Sequence, residues 1–400
     1  MKKKVLIIAN FMRLPWEGGN SRFPYIAELT DREKVEVEII TTSFSHSEKM
    51  QRKVTENNKN SIDYKITLLD EPGYKKNVSL KRFYSHHVLA KNLKKYLEKQ
   101  EKPDIIYCSI PSLDVAKAAA DFARKNNIRF IIDVQDIWPE AFKMVFNIPV
   151  ISNLVFYPMQ KMADKIYASA DEIIAVSETY ANRAARVNKK YKNKLSVFLG
   201  TDLQYFDKFK EENKIVYNNN KIRLAYVGTL GHSYDLKTTI DALAILKAKS
   251  IDNIKFIIMG NGPLKEEFEV YAKNKKIDYE FTGRLEYGDM VGKLCSCDIA
   301  VNPIKSGSAG SIINKVGDYA AAGLPVINTQ ESEEYRKIIE KYNCGYNCAN
   351  NAPNELAEKI EILCKDSDLR KKLGRNNRRL AEEKFDRKKT YPQIVKLLEE

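Results

Sequence analysis

Residues Ser306–Asn328 read SGSAGSIINKVGDYAAAGLPVIN and join a run of small residues to a helical pattern and a short β-branched segment. We predict a helix over Ile312–Ala322 and a buried strand over Pro325–Asn328. The first N–H groups of a helix are unpaired and carry partial positive charge, so a diphosphate is expected to bind at Gly310–Ile312. The segment predicts a parallel α/β sheet whose ligands bind in the loops after its strands.

The same alternation of short apolar strands and helical segments continues along the chain in both directions. The predicted strands of the first half are Lys4–Ala9, Val35–Thr41, Lys65–Leu69, Ile105–Ser109, Phe130–Val134, Glu172–Val176 and Leu195–Phe198. Those of the second half are Arg223–Val227, Lys255–Met259, Tyr279–Thr282, Asp298–Asn302 and Pro325–Asn328. This pattern predicts two Rossmann-like, doubly wound α/β domains that face a central cleft.

The chain has 400 residues, which exceeds the roughly 250–300 that one hydrophobic core serves. We therefore expect a first domain over 1–203 and a second over 204–385. Residues 386–400 are predicted to form a helix that packs back on the first domain.

Positive charge is concentrated in the first half. The whole chain carries a formal charge of +14, of which +11 falls in residues 1–200 and +3 in residues 201–400. One cluster comprises Lys75, Lys76, Lys81 and Arg82. Such a patch attracts the phosphates of nucleic acid, lipid or substrate, although a solvated surface is the plainer interpretation. No nucleic-acid recognition motif accompanies the charge, which disfavours nucleic-acid binding.

Neither secretion nor a metal site is expected from the sequence. The apolar run Val5–Ala9 is shorter than the roughly 7–15 residues of a signal peptide, and no segment approaches the ~20 apolar residues of a membrane span. The six cysteines are expected to be reduced in the cytosol. Cys295 and Cys297 are separated by one residue, which is not the spacing of a zinc knuckle. We expect no metal and no resident cofactor.

Glycines follow two further strands of the second half, in Gly228–Gly231 and Gly260–Gly262. Such loops let a ligand approach the backbone, although αβ turns also use glycine for geometry alone. The chain lacks both Gly-x4-Gly-Lys-Ser/Thr and a Gly-x-Gly-x-x-Gly after the first strand, which disfavours an ATPase or a dehydrogenase.

Polar residues follow the strands of the first half as well. The loop Pro15–Arg22 contains Gly18 and Gly19, and Asp133–Glu140 follows a buried strand. Asp136 is open to three interpretations, as a base, a sugar-hydroxyl ligand or a turn residue. The pair His86-His87 is expected to be solvated or to face phosphate.

Several motifs, taken together, resemble family 4 retaining glycosyltransferases, whose architecture is called GT-B. Leu199–Phe206 resembles the Gly-Val-Asp-x3-Phe segment that ends the family's first domain, and Asn314–Val326 resembles its Asn-Lys-x-x-Glu-Tyr-x-Ala-x-Gly-x-Pro-Val segment. Gly260–Pro263, Phe281–Arg284 and Asp298–Pro303 follow in the family's order. Asp136–Pro139 resembles a segment of the family's branch that builds surface polysaccharides. That branch includes transferases acting on amino-deoxy sugars.

The resemblance implies a set of site residues. Asp318 stands where the family's second motif Glu binds the donor ribose, whereas Gly310 and Thr229 replace a Glu and an Arg that relatives use. The implied catalytic residues are Asp136, Gly310 and Asp318. The implied donor contacts are Gly18, Gly19, Gly228, Thr229, Leu230, Gly231, Gly260, Gly262, Phe281, Arg284, Gly310, Ser311, Ile312, Lys315 and Asp318. The implied acceptor contacts are Asn20, Arg22, Lys81, Arg82, His86, Trp138 and Glu140.

The resemblance further implies a function. It predicts a metal-independent hexosyltransferase that moves a sugar from a UDP-sugar to a lipid-linked saccharide in capsule or O-antigen biosynthesis, at the cytoplasmic face of the plasma membrane. Two alternatives remain open: a GT-B sugar-nucleotide epimerase, and a donor-binding partner of another transferase, since the first motif Glu is missing.

Overall fold

The computed structural model describes residues 2–18, 21–53, 62–77, 79–145, 149–308 and 311–400. The chain divides into two compact units, the first formed by 1–197 with 390–400 and the second by 198–389. The chain passes from the first unit to the second after Val197 and returns to the first after Lys389. The boundaries predicted from the sequence were 203 and 385. In the second unit the two connecting segments pair with each other, because Thr201 and Asp386 form a β-bridge.

The first unit contains a seven-stranded sheet in the order β5-β2-β1-β6-β7-β8-β9, with every pairing parallel. Its strands are β1 (Lys3–Ile8), β2 (Val35–Thr42), β5 (Lys65–Leu69), β6 (Ile105–Ile110), β7 (Arg129–Val134), β8 (Glu172–Ala175) and β9 (Asn193–Ser196). The short strands β3 (Phe44–Ser45) and β4 (Met50–Gln51) pair antiparallel to each other.

Helices connect these strands. They are α1 (Arg22–Leu29), α2 (Leu80–Leu97), α3 (Leu113–Asn126), α4 (Glu140–Val145), α5 (Pro149–Ser169) and α6 (Glu178–Ala185), with a 3₁₀ turn at Pro15–Glu17. Val5 and Ile7 of β1 share one core with Ile26 of α1 and with Ile394 and Leu398 near the C-terminus. Those last two residues explain why 390–400 belong to the first unit.

The second unit contains a six-stranded parallel sheet in the order β12-β11-β10-β13-β14-β15. Its strands are β10 (Ile222–Val227), β11 (Ile254–Met259), β12 (Asp278–Gly283), β13 (Ile299–Asn302), β14 (Val326–Asn328) and β15 (Gly345–Asn347). The sequence analysis did not predict β15, whose three residues offer too short a pattern to recognise.

The helices of the second unit lie on both faces of its sheet. They are α7 (Leu203–Glu212), α8 (Leu236–Ala248), α9 (Lys265–Asn274), α10 (Tyr287–Cys295), α11 (Lys315–Ala321), α12 (Glu333–Tyr342), α13 (Pro353–Lys365) and α14 (Ser367–Leu380), with a π-helical turn at Ala381–Phe385. The chain ends with α15 (Arg387–Thr390) and α16 (Pro392–Glu399). Ala225 of β10 belongs to one core and Leu224 to another, as the alternation of side chains along a strand requires.

The helix predicted over Ile312–Ala322 is shorter than expected. It begins at Lys315 and has seven residues, and Ser311–Asn314 precede it as a loop. Ile312 and Ile313 fit the apolar pattern of a first helical turn, which is why the helix was predicted to begin there. Both residues instead pack in the core of the unit from the loop. The expected diphosphate site on a helix N-terminus at Gly310–Ile312 is therefore wrong in its geometry, and Gly310 itself lies outside the described residues.

Candidate functional site

Three glycines bring two loops of the second unit into backbone contact. Gly228, which follows β10, has a φ of +143°, and Gly260, which follows β11, has a φ of +158°. A Cβ on Gly260 would lie 1.8 Å from the carbonyl oxygen of Gly228, and one on Gly262 would lie 2.3 Å from that of Leu230. Because neither site has room for a side chain, the two loops pack backbone against backbone where the two neighbouring strands end.

Lys315 brings a buried positive charge to this surface. A Cβ on Gly228 would lie 3.4 Å from Lys315 Nζ, so the ammonium lies directly beside the first loop. Nζ is 4.0 Å from the ring centroids of both Tyr226 and Tyr234. Within the described part of the chain it has no hydrogen-bond partner, and burial holds the pKa of Lys315 well below its usual range. An anionic ligand beside this buried amine would stabilise its protonated form and supply the hydrogen-bond acceptor that it lacks.

Asp318 lies one turn after Lys315 on α11. Its Oδ1 accepts hydrogen bonds from Thr201 Oγ1 at 3.2 Å and from Tyr287 Oη at 3.1 Å. Burial raises the pKa of Asp318 to about 6, and the two hydrogen bonds and the charge of Arg387 reduce that increase. The described residues place both hydrogen bonds on Oδ1, so Oδ2 is available to accept from a ligand hydroxyl.

The other predicted donor contacts fall around the same strand ends. Leu230 and Gly231 are buried, Thr229 and Arg284 are exposed, and Phe281 is half-buried on β12. Tyr226 Oη donates to the carbonyl oxygen of Thr229 at 2.7 Å and so fixes the first loop. Ser311 and Ile312 are buried, and the Ser311 carbonyl oxygen accepts from Gln330 Nε2 at 2.5 Å.

In the first unit, Asp136 follows β7 and is largely buried. It accepts hydrogen bonds from the Ile137 backbone N–H at 2.9 Å, from Trp138 Nε1 at 3.2 Å and from Tyr180 Oη at 3.4 Å. Burial raises the pKa of Asp136, while these three donors oppose the increase. The carboxylate is thus held in one orientation by its neighbours.

Arg22 does not reach the surface as an acceptor contact would. Its guanidinium is buried and bonds Asp133 at 2.7 Å and the Val197 carbonyl oxygen at 3.0 Å. Tyr107 Oη also donates to Asp133. The sequence analysis placed Arg22 in a ligand loop, but its charge is used inside the unit to neutralise Asp133.

The prediction for His86 is also wrong in part, because its ring is not solvated. It stacks on Trp138 at 5.9 Å with an interplanar angle of 15°, and both residues are buried. Arg82 is buried too, 4.7 Å from the Trp138 ring centroid. Burial, and then the charge of Arg82, lowers the pKa of His86 to about 3. Its neighbour His87 is exposed.

The remaining predicted residues of the first unit are distributed between surface and interior. Lys81 and Gly18 are exposed, and Gly18 has a φ of +69° that favours glycine. Glu140 pairs with Arg183, a contact within the unit. Gly19 and Asn20 lie outside the described residues.

Sequence reasoning missed the aromatic neighbours of the site. Tyr226, Tyr234 and Tyr287 belong to none of the motifs singled out in the sequence. One signal was available, because Tyr226 is the second-last residue of β10 and lies two positions before Gly228.

The described residues contain neither a cluster of metal ligands nor a membrane-spanning helix. They contain no group of three or more His, Cys, Asp or Glu side chains placed to hold a metal ion. All six cysteines are free. None of the described helices is both long and apolar enough to cross a bilayer.

Comparison with known proteins finds a family match within the second unit. The family model "Glycosyl transferases group 1" matches residues 207–380, which include the glycine loops, Lys315 and Asp318. This part of the chain is therefore similar to glycosyl transferases of group 1. The match covers the part of the chain that carries the candidate site.

Three curated relatives extend the similarity beyond this domain. The uncharacterized glycosyltransferase MJ1178 of Methanocaldococcus jannaschii is 29% identical over 58% of this chain and 60% of its own length. The capsular polysaccharide biosynthesis glycosyltransferase CapM of Staphylococcus aureus is 24% identical over 72% of this chain and 74% of its own length. A Campylobacter jejuni α-1,4-N-acetyl-D-galactosaminyltransferase, named for a diNAcBac-PP-undecaprenol-linked acceptor, is 23% identical over 48% of this chain and 56% of its own length.

Two solved structures show the fold. HepE of Anabaena in complex with UDP has a TM-score of 0.68 and 14% identity, with 99% of both chains covered. Sucrose-phosphate synthase of Thermosynechococcus elongatus has a TM-score of 0.70 and 14% identity, with 99% of this chain and 98% of that chain covered. The fold of this protein is therefore GT-B, and the expectation of an α/β protein with two Rossmann-like units is confirmed. At 14% identity these likenesses show the fold alone, and the fold does not identify the acceptor.

Proposed function

We propose that this protein is a retaining glycosyltransferase that moves a sugar from a UDP-sugar to a lipid-linked saccharide in capsule or O-antigen biosynthesis. The observation that carries the proposal is the unpaired, buried ammonium of Lys315 beside the Gly228 loop. A nucleotide diphosphate is an anion that the protonated amine of Lys315 and the backbone of the Gly228 loop would bind together.

UDP is the proposed nucleotide because the neighbouring HepE structure contains it. In our account, Lys315 contacts the diphosphate and Asp318 accepts a hydrogen bond from a ribose hydroxyl. Gly228 and Gly260 allow the phosphates to approach the backbone. Gly310, where relatives carry a sugar-binding Glu, leaves that contact to other groups.

The chemistry requires a site that stabilises a departing diphosphate. As the bond between the anomeric carbon and the diphosphate oxygen breaks, negative charge develops on that oxygen, while the acceptor hydroxyl oxygen bonds to the carbon and its proton passes to the departing diphosphate. The Lys315 ammonium would offset this charge without a metal ion, which is the basis for proposing metal independence. Asp136, with its pKa raised by burial, is the proposed contact of the acceptor hydroxyl.

The proposed acceptor is a lipid-linked saccharide. Support comes from the names of CapM and of the Campylobacter transferase, which refer to capsular polysaccharide and to an undecaprenol-linked acceptor. An acceptor of this kind is held in a membrane, so we propose peripheral contact with the cytoplasmic face of the plasma membrane.

One surface of the first unit suits that contact. On α5, Ile151, Leu154, Val155 and Tyr157 are exposed, with Leu154 77% exposed. Lys161 Nζ lies 5.2 Å from the Tyr157 ring centroid, at the edge of this apolar surface. Apolar side chains bordered by lysines are typical of proteins that bind anionic bilayers.

This surface, which we call the α5 surface, replaces part of the lysine cluster that the sequence suggested. Lys75, Lys76 and Lys81 are exposed, but Arg82 is buried and does not reach solvent as the others do. We propose that the α5 surface inserts among lipid headgroups while the exposed lysines add electrostatic attraction.

The proposed function is tested by measuring nucleotide release from UDP-, GDP- and ADP-sugars in the presence of a lipid-linked acceptor. We expect UDP to be released from one UDP-sugar only when the acceptor is present, and a thermal shift with that donor alone. Formation of an epimerised UDP-sugar from donor without acceptor would show an epimerase instead. Nucleotide binding without turnover under any combination would indicate a non-catalytic partner.

A further inference from the structure

We infer that the first unit contains a separate phosphate-binding pocket, built around Arg82 and His86 at the carboxyl edge of its sheet. It would receive the phosphate group of the acceptor, and this last identification rests on the proposed function. The anion site itself depends only on the geometry described below.

The guanidinium of Arg82 is held in a cage of aromatic rings. Its central carbon lies 4.7 Å from the ring centroid of Trp138, 5.1 Å from Phe11 and 5.6 Å from Tyr74. His86 packs against the same three rings, at centroid distances of 5.9, 5.4 and 5.7 Å. These contacts fix the positions of both donors before any ligand binds, which lowers the entropic cost of binding.

The positive charges of Arg82 and Lys49 form no ion pair among the described residues. The acceptors that Asn77 offers them are neutral: Arg82 Nη1 donates to its carbonyl oxygen at 2.9 Å and Lys49 Nζ to its Oδ1 at 2.6 Å. Lys49 Nζ lies 4.9 Å from the Tyr74 ring centroid, close to His46 Nδ1 at 3.3 Å. Burial, and then the charge of Arg82, lowers the pKa of Lys49 to about 8. Burial, and then the charges of Lys49 and Arg82, lowers the pKa of His46 to about 3. A bound dianion would relieve this mutual repulsion.

Two carboxylates near the pocket are already engaged by other donors. Glu71 accepts a hydrogen bond from Ser85, and Asp136 accepts from Ile137, Trp138 and Tyr180. Both contribute some attraction to Arg82, but burial still lowers the pKa of Arg82. The pocket therefore keeps a net demand for negative charge.

Several buried donors at this edge have no partner. Within the described residues these include Arg82 Nε and His86 Nε2, together with the side-chain amide nitrogens of Asn10 and Gln135 and the hydroxyl of Ser112. An unsatisfied buried polar group is unfavourable, because it loses its hydrogen bonds to water without replacement. A phosphate, whose ionised oxygens accept hydrogen bonds, would supply acceptors for Arg82 Nε and His86 Nε2, which the same aromatic rings hold in place.

The sheet topology places these donors where α/β proteins bind ligands. Asn10 follows β1 and Ser112 follows β6, and the Ser112 backbone N–H donates to Asn10 Oδ1 at 3.3 Å. β1 and β6 are adjacent, and the sheet grows from them in opposite directions, through β2 on one side and β7 on the other. Ligands bind at the carboxyl ends of strands at such a switch point.

The test is calorimetric titration of the full chain with inorganic pyrophosphate while UDP saturates the second unit. We expect saturable binding that Arg82→Gln and Lys49→Gln each weaken at least tenfold. Lys91→Gln is the matched control, because Lys91 is exposed on the same helix as Arg82 and loses the same charge. We expect the control to change the affinity less than twofold.

Parallel titrations identify the source of the phosphate. Farnesyl diphosphate binding more tightly than pyrophosphate would identify a lipid diphosphate, and equal affinities for pyrophosphate and inorganic phosphate would identify a free phosphate. The inference is overturned if pyrophosphate no longer binds once UDP is saturating, or if all three variants behave alike. If Arg82→Gln loses its cooperative melting transition, the pyrophosphate affinity of Lys49→Gln is the deciding measurement, because Lys49 is only half-buried. Absence of transferase activity in the wild-type protein would contradict the proposed function and leave the pyrophosphate result standing.

Discussion

The ammonium nitrogen of Lys315 lies 4.0 Å from the ring centroid of Tyr226, on the strand that leads into the Gly228 loop. This cation–π contact and the equal one with Tyr234 offset part of the cost of burying an ammonium that has no hydrogen-bond partner among the described residues. A bound anion would therefore provide the hydrogen-bond acceptor that Lys315 Nζ lacks.

Replacing Lys315 by methionine should separate stability from binding. Methionine fills a similar volume without the charge, so we expect Lys315→Met to melt at a higher temperature. The loss of one charge-assisted contact, about 1.5–3 kcal/mol, should weaken UDP binding roughly 10- to 100-fold. Lys337→Met, at an exposed position on α12, is the control. Unchanged UDP affinity in Lys315→Met would place the diphosphate elsewhere.

Binding of UDP should be coupled to proton uptake. Burial lowers the pKa of Lys315 in the free protein, and a diphosphate beside it would raise that pKa again. Between the two pKa values the protein gains a proton on binding, so affinity falls as pH rises through this window. Calorimetry in two buffers of different ionisation enthalpy measures the effect. Equal heats in both buffers, above the free pKa of Lys315, would contradict it.

Asp318→Asn should stabilise the protein at neutral pH. The pKa of Asp318 is raised from 3.8 to about 6, so the wild-type carboxyl group contributes stability below pH 4 that is lost as pH rises to 6. Asparagine avoids this loss, and the gain at pH 7 should be on the order of 1–3 kcal/mol, shrinking towards pH 4. Urea unfolding at both pH values gives the comparison. A gain independent of pH would show that titration of Asp318 is not its cause.

The same variant should bind UDP less tightly if Asp318 contacts the ribose. An amide oxygen is a weaker acceptor than a carboxylate, so a loss of about tenfold is expected. Titration with UDP and with 2′-deoxy-UDP and 3′-deoxy-UDP checks the contact. The variant and wild type should then differ least for the analogue that lacks the contacted hydroxyl.

Charges on the α5 surface should abolish membrane binding. We expect the double variant Leu154→Glu, Val155→Glu to lose sedimentation with anionic phospholipid vesicles while its UDP affinity is unchanged. Val270→Glu is the matched control, since Val270 is an exposed apolar residue of the second unit. Equal sedimentation of the double variant and wild type would remove α5 from the proposed contact.

The order of strands and helices was predictable because local patterning determines it. Short β-branched runs such as Ile105–Ile110 are buried on both faces of a parallel sheet and therefore stand out in the sequence. The start of α11 was not predictable, because Ile312 and Ile313 are apolar for packing from a loop rather than for helix formation. Lys315 was found through a resemblance, but its lack of a partner depends on three-dimensional neighbours.

Composition alone does not predict which charged residues of the first half are buried. Arg22 and Lys81 contribute equally to net charge, yet one is buried against Asp133 and the other is exposed. Arg82 differs from Lys81 by one position and lies inside an aromatic cage. Which face of a helix is covered depends on long-range packing, which residue counts do not contain.

The most direct test of the account is transfer of a radiolabelled sugar from its UDP-sugar into a lipid-extractable product. The assay contains the full chain, the labelled donor and a polyprenyl-diphosphate-linked saccharide, with Lys315→Met and Lys337→Met in parallel. We predict label in the lipid phase with wild type and Lys337→Met, at a rate at least tenfold lower with Lys315→Met. Label that stays in the aqueous phase with every donor, or equal transfer by Lys315→Met, would contradict the account.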